Sequence, residues 1–483
     1  MVFSSPVFLL IFLPATLFFT LILPRRFQNI MLLIASLIFY AWGGVSFSLI
    51  MLSSIVINFI AGRQIEKRAG KQGAKNALII GLVLNLLLLG VFKYANFFVD
   101  NLNVILGWAD LTPITMKPIY LPIGISFFTF QAISYIVDVY RKETPAQKNP
   151  VDLALYIALF PQLIAGPIVR YHDIAYQLRH RIPNLEKFAS GVERFIIGLA
   201  KKVLIANTMA QVADNIFGLE LTEMSTATAW LGAIAYSFQI YFDFSGYSDM
   251  AIGLGRMFGF EILENFNFPY ISKSIREFWR RWHISLSTWF RDYLYIPLGG
   301  NRVSQGKVFR NLLIVFFLTG FWHGAAWNFV VWGMLHGFFL VIERVGFGKF
   351  MERLWSPFQH LYVLIVAIFA WVLFRADSLE YGFGFIKNMM GFAHQPFNWD
   401  YLLEYLNQEV YVVLIIATIS STTFLIYIQK QFNRFQTNLN ISVNGLVNGM
   451  FSFISVAGLI ILLVMCLTYL ASSTYNPFIY YRF

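Results

Sequence analysis

Long apolar runs separated by short polar connections dominate this chain. About 20 mostly apolar residues are enough for a helix to cross a bilayer. The pattern predicts about ten to twelve crossings or re-entrant pieces, at residues 5–23, 30–61 (long enough for two elements), 77–92, 119–140, 151–169, 188–213, 227–257, 312–342, 361–375, 410–428 and 447–472. We therefore predict an all-α polytopic membrane protein with a single membrane-embedded domain over residues 1–483.

Two of these runs are interrupted by proline and glycine, in LPIGISFF (121–128) and FPQLIAGPIVR (160–170). Irregular backbone at membrane depth persists only where protein or water satisfies the freed polar groups. The interruptions therefore indicate either re-entrant segments around a cavity or simple loop ends.

Composition supports the membrane interpretation and changes the meaning of the charge. The chain is 58% hydrophobic and only 13% charged, against about 25% charged residues in an ordinary soluble domain. Its net charge of +11 is concentrated in the polar connections, at 63–75, 141–149, 170–187 and 273–310. Basic loops of this kind are typical of the cytoplasmic side and contact anionic lipid. An anionic cofactor entering from the cytoplasm would benefit from the same charge, and nothing indicates nucleic-acid binding.

The first apolar run differs from a cleaved signal peptide. No Lys or Arg precedes it, and the first basic pair, Arg25 and Arg26, follows it. A secretory signal carries its charge first, so we expect this segment to be retained with its N-terminus outside. The single cysteine, Cys466, excludes an internal disulfide and a cysteine metal cluster, and we expect it to face lipid or fill packing space.

Two histidines lie inside an apolar run, which makes them candidates for chemistry. The segment 312–343 contains His323 and His336 and carries no charged side chain before Glu343. Ionisable groups within a membrane are costly and are usually functional, and imidazole transfers protons near neutral pH. Small residues around His323 would let a substrate approach closely. The alternative is a structural histidine bonded to a neighbouring helix. The other histidines of polar or boundary segments are expected to be ordinary: His172, His180, His360 and His394.

The segment REFWRRWHISLSTWFRD (276–292) has tryptophans and a leucine at helical spacing, with arginines and His283 elsewhere on the wheel. This pattern favours an amphipathic helix at headgroup level. One interpretation is an anchor helix. The other is that its arginines receive a phosphate-bearing donor while His283 faces the site.

Two carboxylates, Asp243 and Asp249, lie in a mostly apolar segment and need partners. We expect them to pair with arginines of the 276–302 block rather than to act directly in catalysis, and Gly246 is a potential helix break between them. We find no P-loop, no zinc-protease pair and no nucleophile elbow, and the histidines lack metal-ligand spacing. No metal is expected.

The block EFWRRWHISLSTWFRDYLYIPLGGNR (277–302), followed by GFWHGAAWNFVVWG (320–333), strongly resembles the membrane-bound O-acyltransferase (MBOAT) family. The branch is the bacterial alginate O-acetyltransferase-like one, which also includes peptidoglycan O-acetyltransferases. The core motifs fall within 241–342. Further segments match at 1–14, 92–98, 121–141, 160–170 and 241–255, so the resemblance covers nearly the whole chain.

The resemblance implies a many-helix fold around a tunnel from the cytoplasm to the opposite face. His323 of the WHG motif would be the catalytic residue, and His283 of RWH the second family histidine. A cytoplasmic thioester, acetyl-CoA, would donate an acyl group to an acceptor hydroxyl, with His323 as general base and polar donors near His283 supporting the oxyanion. No bound cofactor is implied. We expect the donor to contact Arg280, Arg281, Trp282, Trp322 and Asn328.

The resemblance also implies a relay across the bacterial inner membrane. A periplasmic partner of the SGNH or esterase fold would place acetyl on a cell-envelope glycan. The tail NPFIYYRF (476–483) matches a Phe-Ile-Tyr ending of this branch, which makes Tyr480 the expected first acyl acceptor, or else an aromatic belt residue. Alternatives are D-alanyl transfer or lipid acylation by the same fold, and a polysaccharide-precursor transporter, which would be expected to show internal repeats.

Overall fold

The computed structural model describes residues 1–437, 441–472 and 475–477. Within this part of the chain the regular structure is helical, and the only β-type contact is one isolated bridge. The first six helices are α1 (Leu13–Ile22), α2 (Arg25–Ala41), α3 (Val45–Lys67), α4 (Gln72–Leu89), α5 (Ala95–Trp108) and α6 (Ile125–Arg141). A π-helical turn, Gly90–Tyr94, joins α4 to α5.

A buried amide pair fixes how α3 and α4 pack. Asn58 and Asn85 exchange two hydrogen bonds, each 2.9 Å from amide nitrogen to amide oxygen, and both side chains are excluded from the surface. Interhelical hydrogen bonds of this kind hold helices together in lipid, where apolar surfaces alone give no preference between a helix and the lipid tails.

The central helices are α7 (Pro150–Ala158), α8 (Phe160–Leu163), α9 (Tyr171–Ile174), α10 (Gln177–His180), α11 (Leu185–Ala200), α12 (Asn207–Phe217) and α13 (Thr226–Met257). Helix α13 is unbroken, so Gly246 does not interrupt it. Its role is close packing, because a Cβ at Gly246 would lie 2.7 Å from the carbonyl oxygen of Gly198 on α11. The reciprocal Cβ at Gly198 would lie 2.6 Å from the carbonyl of Gly246.

The remaining helices are α14 (Ile275–Arg281), α15 (Ile284–Phe290), α16 (Gln305–His323), α17 (Trp327–Ile342), α18 (Gly348–Met351), α19 (Ser356–Arg375), α20 (Leu379–Lys387), α21 (Trp399–Tyr405), α22 (Gln408–Ser420), α23 (Phe424–Thr437) and α24 (Ile441–Ser472). Helices α16 and α17 form a tight hairpin. A Cβ at Gly320 or Gly333 would lie 2.3 Å from a carbonyl of the opposite helix.

Six helical stretches of the described chain are long and apolar enough to cross a membrane: Val45–Lys67, Gln72–Trp108, Leu185–Phe217, Trp327–Met351, Ser356–Arg375 and Val447–Ser472. A seventh is present if the pair Trp399–Tyr405 and Gln408–Ser420, bent by 74°, counts as one span. The protein is therefore a multi-pass membrane protein. Several of the ten to twelve predicted pieces are shorter helices or, like α13, are buried inside the bundle. Cys466 of α24 is buried rather than lipid-facing.

Two predicted helices are each divided in two, and both divisions fall at the candidate histidines. The apolar run 312–343 forms α16 and α17, so His323 is the last residue of a helix rather than a mid-helix residue. The expected amphipathic helix over 276–292 is wrong as one element, because the backbone breaks at His283, which adopts φ 45°. Non-glycine residues rarely adopt this left-handed region.

The basic connections meet at one end of the molecule. Glu66 accepts a hydrogen bond from the backbone of Ala146 at 2.9 Å, and Arg141 donates to the carbonyl of Asp292 at 3.0 Å. Asp292 also pairs with Arg170 at 2.6 Å. Because four basic segments converge there, this end carries the charge that we expect on the cytoplasmic side.

Candidate active site

His323 ends α16 in a buried position. Its Nδ1 lies 2.7 Å from the carbonyl oxygen of Thr319, one turn earlier, and the side chain is 7% exposed. A carbonyl oxygen can only accept, so the Nδ1 atom carries the proton. In the neutral imidazole the Nε2 atom of His323 is therefore left with a lone pair, as a proton acceptor requires.

A lysine from another helix secures the end of α16. Lys93, in the π-helical turn between α4 and α5, donates from Nζ to the carbonyls of Trp322 and His323, the latter at 3.2 Å, and to Ser126 Oγ at 3.2 Å. The last carbonyls of a helix have no partner within it, and this ammonium supplies one. Sequence reasoning did not single out Lys93. The sequence feature that could have identified Lys93 is that it is a single cation among apolar residues.

A pocket of about 180 Å³ opens beside His323. Both segments interrupted by proline and glycine contribute to its wall, which supports their interpretation as cavity-lining rather than as simple loop ends. The wall consists of Lys93, Leu121, Pro122, Ile123, Gly124, Ile125, Ser126, Phe127, Ile164, Trp322 and His323. At Gly124, which has φ 77°, a Cβ would lie 2.6 Å from the carbonyl of Leu163, so only glycine fits this close approach.

His283, the second family histidine, lies close to His323, although the two are 40 residues apart in the chain. The ring centroids of His283 and His323 are 6.4 Å apart. His283 is fully buried, and its Nδ1 lies 3.3 Å from Asn265 Oδ1. Its Nε2 makes no hydrogen bond with any residue that the structure describes. The structure therefore brings the two predicted histidines into one site.

His336 lies deeper, among aromatic rings. It stacks on Phe278 at 6.1 Å, and Trp332 contacts both His336, at 5.2 Å, and His323, at 4.8 Å. Neither ring nitrogen of His336 is bonded within the described chain. His336 therefore packs behind the tryptophan that His323 contacts.

A second opening lies at the basic end of the molecule. A cleft of about 200 Å³ has an apolar floor that includes Thr319, whose carbonyl holds His323. Arg276 and Arg280 line it, and both also line an adjoining cleft of about 360 Å³ together with Arg344. None of these three arginines forms an ion pair with a described residue. The cleft therefore presents guanidinium groups outside any described ion pair one helical turn from His323, with the Glu343 carboxylate accepting from the backbone N–H of Arg276 at 3.1 Å.

The five residues predicted to contact the donor lie in different surroundings. Arg280 lines the cleft, and Trp322 lines the pocket. Arg281 is paired with Glu277 at 2.8 Å and does not line the cleft. Trp282 is 2% exposed and packs against Trp371 in the core. Asn328 donates to the carbonyl of Ala376 at 2.9 Å, so it ties α17 to the end of α19.

Asp243 and Asp249 have basic partners, but not the predicted ones. Asp243 pairs with Lys202 at 3.0 Å, and both side chains are almost fully buried. Asp249 pairs with Arg194 at 2.7 Å and Lys201 at 2.6 Å. The expected partners in the 276–302 block are therefore wrong, because α11 and its continuation pack on α13 and supply the cations.

Tyr475 and the first two residues of the tail are bound to the helical bundle. Tyr475 donates to Asp214 at 2.6 Å, Asn476 donates to the carbonyl of Ser4 at 3.2 Å, and the carbonyl of Pro477 accepts from Lys202. Tyr480 lies outside the described residues. The chain nevertheless reaches the buried Lys202–Asp243 pair three residues before it.

A buried histidine between a basic cleft and a pocket in a multi-pass helical protein is an arrangement suited to group transfer within a membrane. The comparisons with known proteins define the family. Residues 126–383 match the model of MBOAT, the membrane-bound O-acyltransferase family. The chain belongs to this family and is an O-acyltransferase.

Curated relatives align over most of their length. The chain is 48% identical to the probable alginate O-acetylase AlgI of Azotobacter vinelandii over 87% of this chain and 83% of that protein. It is 43% identical to the probable alginate O-acetylase AlgI of Pseudomonas putida over the full length of both. Identity to the peptidoglycan O-acetyltransferase of Helicobacter pylori is 39%, over 81% of this chain and 80% of that protein.

Proposed function

We propose that this protein moves acetyl groups from cytoplasmic acetyl-CoA across the bacterial inner membrane for O-acetylation of a cell-envelope polysaccharide. The observation that carries the proposal is the position of His323 between two openings. The arginine cleft lies at the basic end. Lys93 lines the pocket and follows Gln72, which lies in the basic connection 63–75, by 21 residues of one helical stretch. The pocket therefore lies about 30 Å from the basic end.

The arginine cleft suits a coenzyme A thioester. Arg276, Arg280 and Arg344 supply charge for phosphate groups, and guanidinium binds phosphate through paired hydrogen bonds. The apolar floor next to Thr319 suits the uncharged arm that carries the thioester. We assign Arg281 no part in this binding, because its guanidinium group already forms an ion pair with Glu277.

The chemistry at His323 follows from its proton positions. An incoming hydroxyl gives its proton to Nε2 of His323 while its oxygen forms a C–O bond with the thioester carbonyl. The tetrahedral intermediate then expels the thiolate, which recovers the proton. General-base catalysis of this kind contributes about 10²–10⁴-fold. The indole N–H of Trp322 is bonded to no described residue and supplies a donor for the oxyanion beside the pocket.

Tyr480 remains our proposed first acceptor. Pro477 is bonded to Lys202, which pairs with Asp243. The next residue, Phe244, lies 4.6 Å from the His283 ring. Three residues of chain span up to about 10 Å, and this is the length available to carry Tyr480 from Pro477 towards the histidine pair. A periplasmic partner of the esterase fold would then take the acetyl group to the glycan.

The acceptor class comes from the names of the relatives, which are alginate and peptidoglycan acetylating enzymes. We therefore propose an alginate-type exopolysaccharide or peptidoglycan as the final acceptor, with anionic lipid at the basic face. A second candidate is D-alanyl transfer, since the teichoic acid D-alanyltransferase of Bacillus subtilis is 30% identical over 51% of this chain. Lipid acylation by the same fold is a further alternative, whereas a transporter leaves His323 without a role.

Acetyl transfer in reconstituted vesicles tests the proposal. Purified protein with radiolabelled acetyl-CoA and the periplasmic partner should label the polysaccharide, and His323→Ala should abolish labelling. His394→Ala is the matched control, because His394 is exposed and should leave the rate unchanged. Full labelling by His323→Ala would refute the catalytic assignment. Transfer from a D-alanyl carrier protein but not from acetyl-CoA would favour the second candidate.

Mass spectrometry of the C-terminal peptide tests the relay. Trapped turnover should give an acetyl adduct on Tyr480, and Tyr480→Phe should prevent both the adduct and transfer to the glycan. Tyr481→Phe is the control, because it removes a phenol hydroxyl at the adjacent position. A Tyr480→Phe variant with full activity would remove this residue from the mechanism.

A further inference from the structure

Asn265, in the segment between α13 and α14, is fully buried against the second histidine. Its backbone carbonyl accepts from Ile284 N at 2.9 Å. Its Oδ1 atom accepts from Ser285 N at 3.1 Å and from Ser285 Oγ at 2.8 Å. The same oxygen lies 3.3 Å from Nδ1 of His283. Asn265 therefore holds both the start of α15 and the imidazole of His283, which precedes that helix.

These contacts determine where the proton of His283 lies. A backbone N–H can only donate, so the amide atom that faces Ser285 N is the oxygen. The amide nitrogen of Asn265 in turn faces Ser248 Oγ at 3.2 Å. An amide oxygen accepts and never donates, so the His283 Nδ1 that faces it carries a proton.

The hydroxyl of Ser285 does not reverse this assignment. It lies 3.5 Å from His283 Nδ1 but 2.8 Å from Asn265 Oδ1. A hydroxyl has one proton to give, and the shorter contact takes it. Nε2 of His283 is therefore a lone-pair acceptor that no described residue occupies.

We propose that Asn265 is a positioning residue for acyl transfer, which keeps the proton of His283 on Nδ1 and makes Nε2 a second proton acceptor beside His323. This inference rests on the proposed function. Both histidines then present an Nε2 acceptor, because Thr319 fixes the proton of His323 and Asn265 fixes that of His283.

The two histidines belong to elements that line different openings. His323 lines the pocket, while His283 begins α15, whose Leu286, Ser287 and Phe290 line the arginine cleft. During transfer the acceptor oxygen forms the C–O bond and the C–S bond breaks. The two rings share no direct hydrogen bond, so the hydroxyl proton moves to Nε2 of His323, passes through a bridging water to Nε2 of His283, and leaves on the thiolate sulfur. One proton enters and one leaves, so the pair returns to its starting state.

The tautomer can be measured without any substrate. Nitrogen-15 spectra of histidine-labelled protein in nanodiscs, with His283 identified by comparison with His283→Gln, should show a protonated Nδ1 and an unprotonated Nε2. Asn265→Leu should mix or reverse the two signals. Asn267→Leu is the matched control, because Asn267 is exposed two residues away and should change nothing. A wild-type signal with the proton on Nε2 would overturn the proposal.

Kinetics separate positioning from folding. We expect Asn265→Leu to lower kcat at least tenfold, on the scale of about 10–100-fold for partners that orient a functional histidine, with KM for acetyl-CoA within twofold because the arginines are untouched. Asn265→Asp keeps the acceptor and should retain activity within about threefold. Equal losses in the Leu and Asp variants would overturn the proposal. If Asn265→Leu does not fold, the His283 tautomer and the pH profile of Asn265→Asp test the role of Asn265 instead.

The pH profile of Asn265→Asp gives a further test, because the direction of its shift can be predicted. Phe244 of α13 and Trp322 and His323 of α16 face the His283 ring, and His323 is the titratable one among them. A carboxylate at position 265 favours the imidazolium form, so the acid limb of the rate profile should move to higher pH. An unmoved limb would contradict contact between positions 265 and 283. If the wild type transfers no acetyl, the proposed function fails, while the tautomer measurement still decides the role of Asn265.

Discussion

The two histidines of the site are held in the same protonation pattern by opposite means. His323 ends a long helix and donates to a backbone carbonyl of its own last turn. His283 precedes a short helix, in left-handed backbone, and faces a side chain from a distant segment. A carbonyl within the same helix is present whenever that helix forms. The orientation of His283 instead depends on tertiary packing, so mutations should disturb it more easily.

The largest expected difference comes from removing each imidazole in turn. His323→Gln should lower kcat by about 10²–10⁴-fold, since it removes the primary base. His283→Gln should cost about 10–100-fold, because the first proton acceptor remains. Timed assays of acetyl transfer in vesicles measure the loss of kcat in both variants. Equal losses would show that the histidines act as one inseparable unit, and a larger loss at His283 would reverse their order.

Lys93 offers a way to loosen His323 without touching its ring. Lys93→Met leaves the carbonyls of Trp322 and His323 unsatisfied inside the protein, which costs about 1–3 kcal/mol per buried group. We expect a lower unfolding midpoint together with a kcat loss of about tenfold, and partial rescue by Lys93→Arg. Thermal unfolding and initial rates are the two measurements. Lys75→Met, on the basic connection, is the control. Wild-type kcat in Lys93→Met would remove Lys93 from the positioning of His323.

The sequence identified which residues this site brings together better than it predicted their geometry. His323 and His283 were accessible from motifs, and the helical membrane fold from apolar runs. The breaks at both histidines were not, because the apolar pattern continues through residues 312–343 without a turn signal. Asn265 and Lys93 act through contacts distant in sequence, which periodicity does not report. The partners of Asp249 were missed for the same reason, since only the packing of α11 on α13 brings Arg194 to it.

The adjacent arginines of α14 extend the comparison to the donor side. Arg280 lines the cleft and has no ion pair in the described chain, whereas Arg281 is held by Glu277. Arg280→Ala should raise KM for acetyl-CoA about tenfold, the loss expected from one charge-assisted contact at a partly exposed site. Arg281→Ala should leave KM unchanged. Initial rates over a range of acetyl-CoA concentrations distinguish them. A larger effect at Arg281 would place the donor on the other face of α14.

The smallest effect is expected at a third histidine, which sharpens the contrast with the buried pair. His172 lies at the basic end, with Nδ1 3.0 Å from Asp138 and Nε2 3.2 Å from Asp173. Hydrogen bonds to these two carboxylates raise the pKa of His172 from 6.5 to about 9. A raised pKa in the folded state means that the stabilisation is fully present below pH 6.5 and is lost as the pH rises through 9.

Replacing His172 by Gln should therefore lower stability at pH 6 by about 1 kcal/mol, a small value because the side chain is partly exposed to solvent. At pH 9.5 the variant and the wild type should unfold at nearly the same temperature, since the wild-type imidazole is then neutral as well. Thermal unfolding at the two pH values measures the difference, with His180→Gln, at an exposed position, as the control. A gap that widens towards alkaline pH would mean that His172 is neutral in the folded protein. The contrast between histidines held by carboxylates and those held by carbonyl and amide oxygens would then fail.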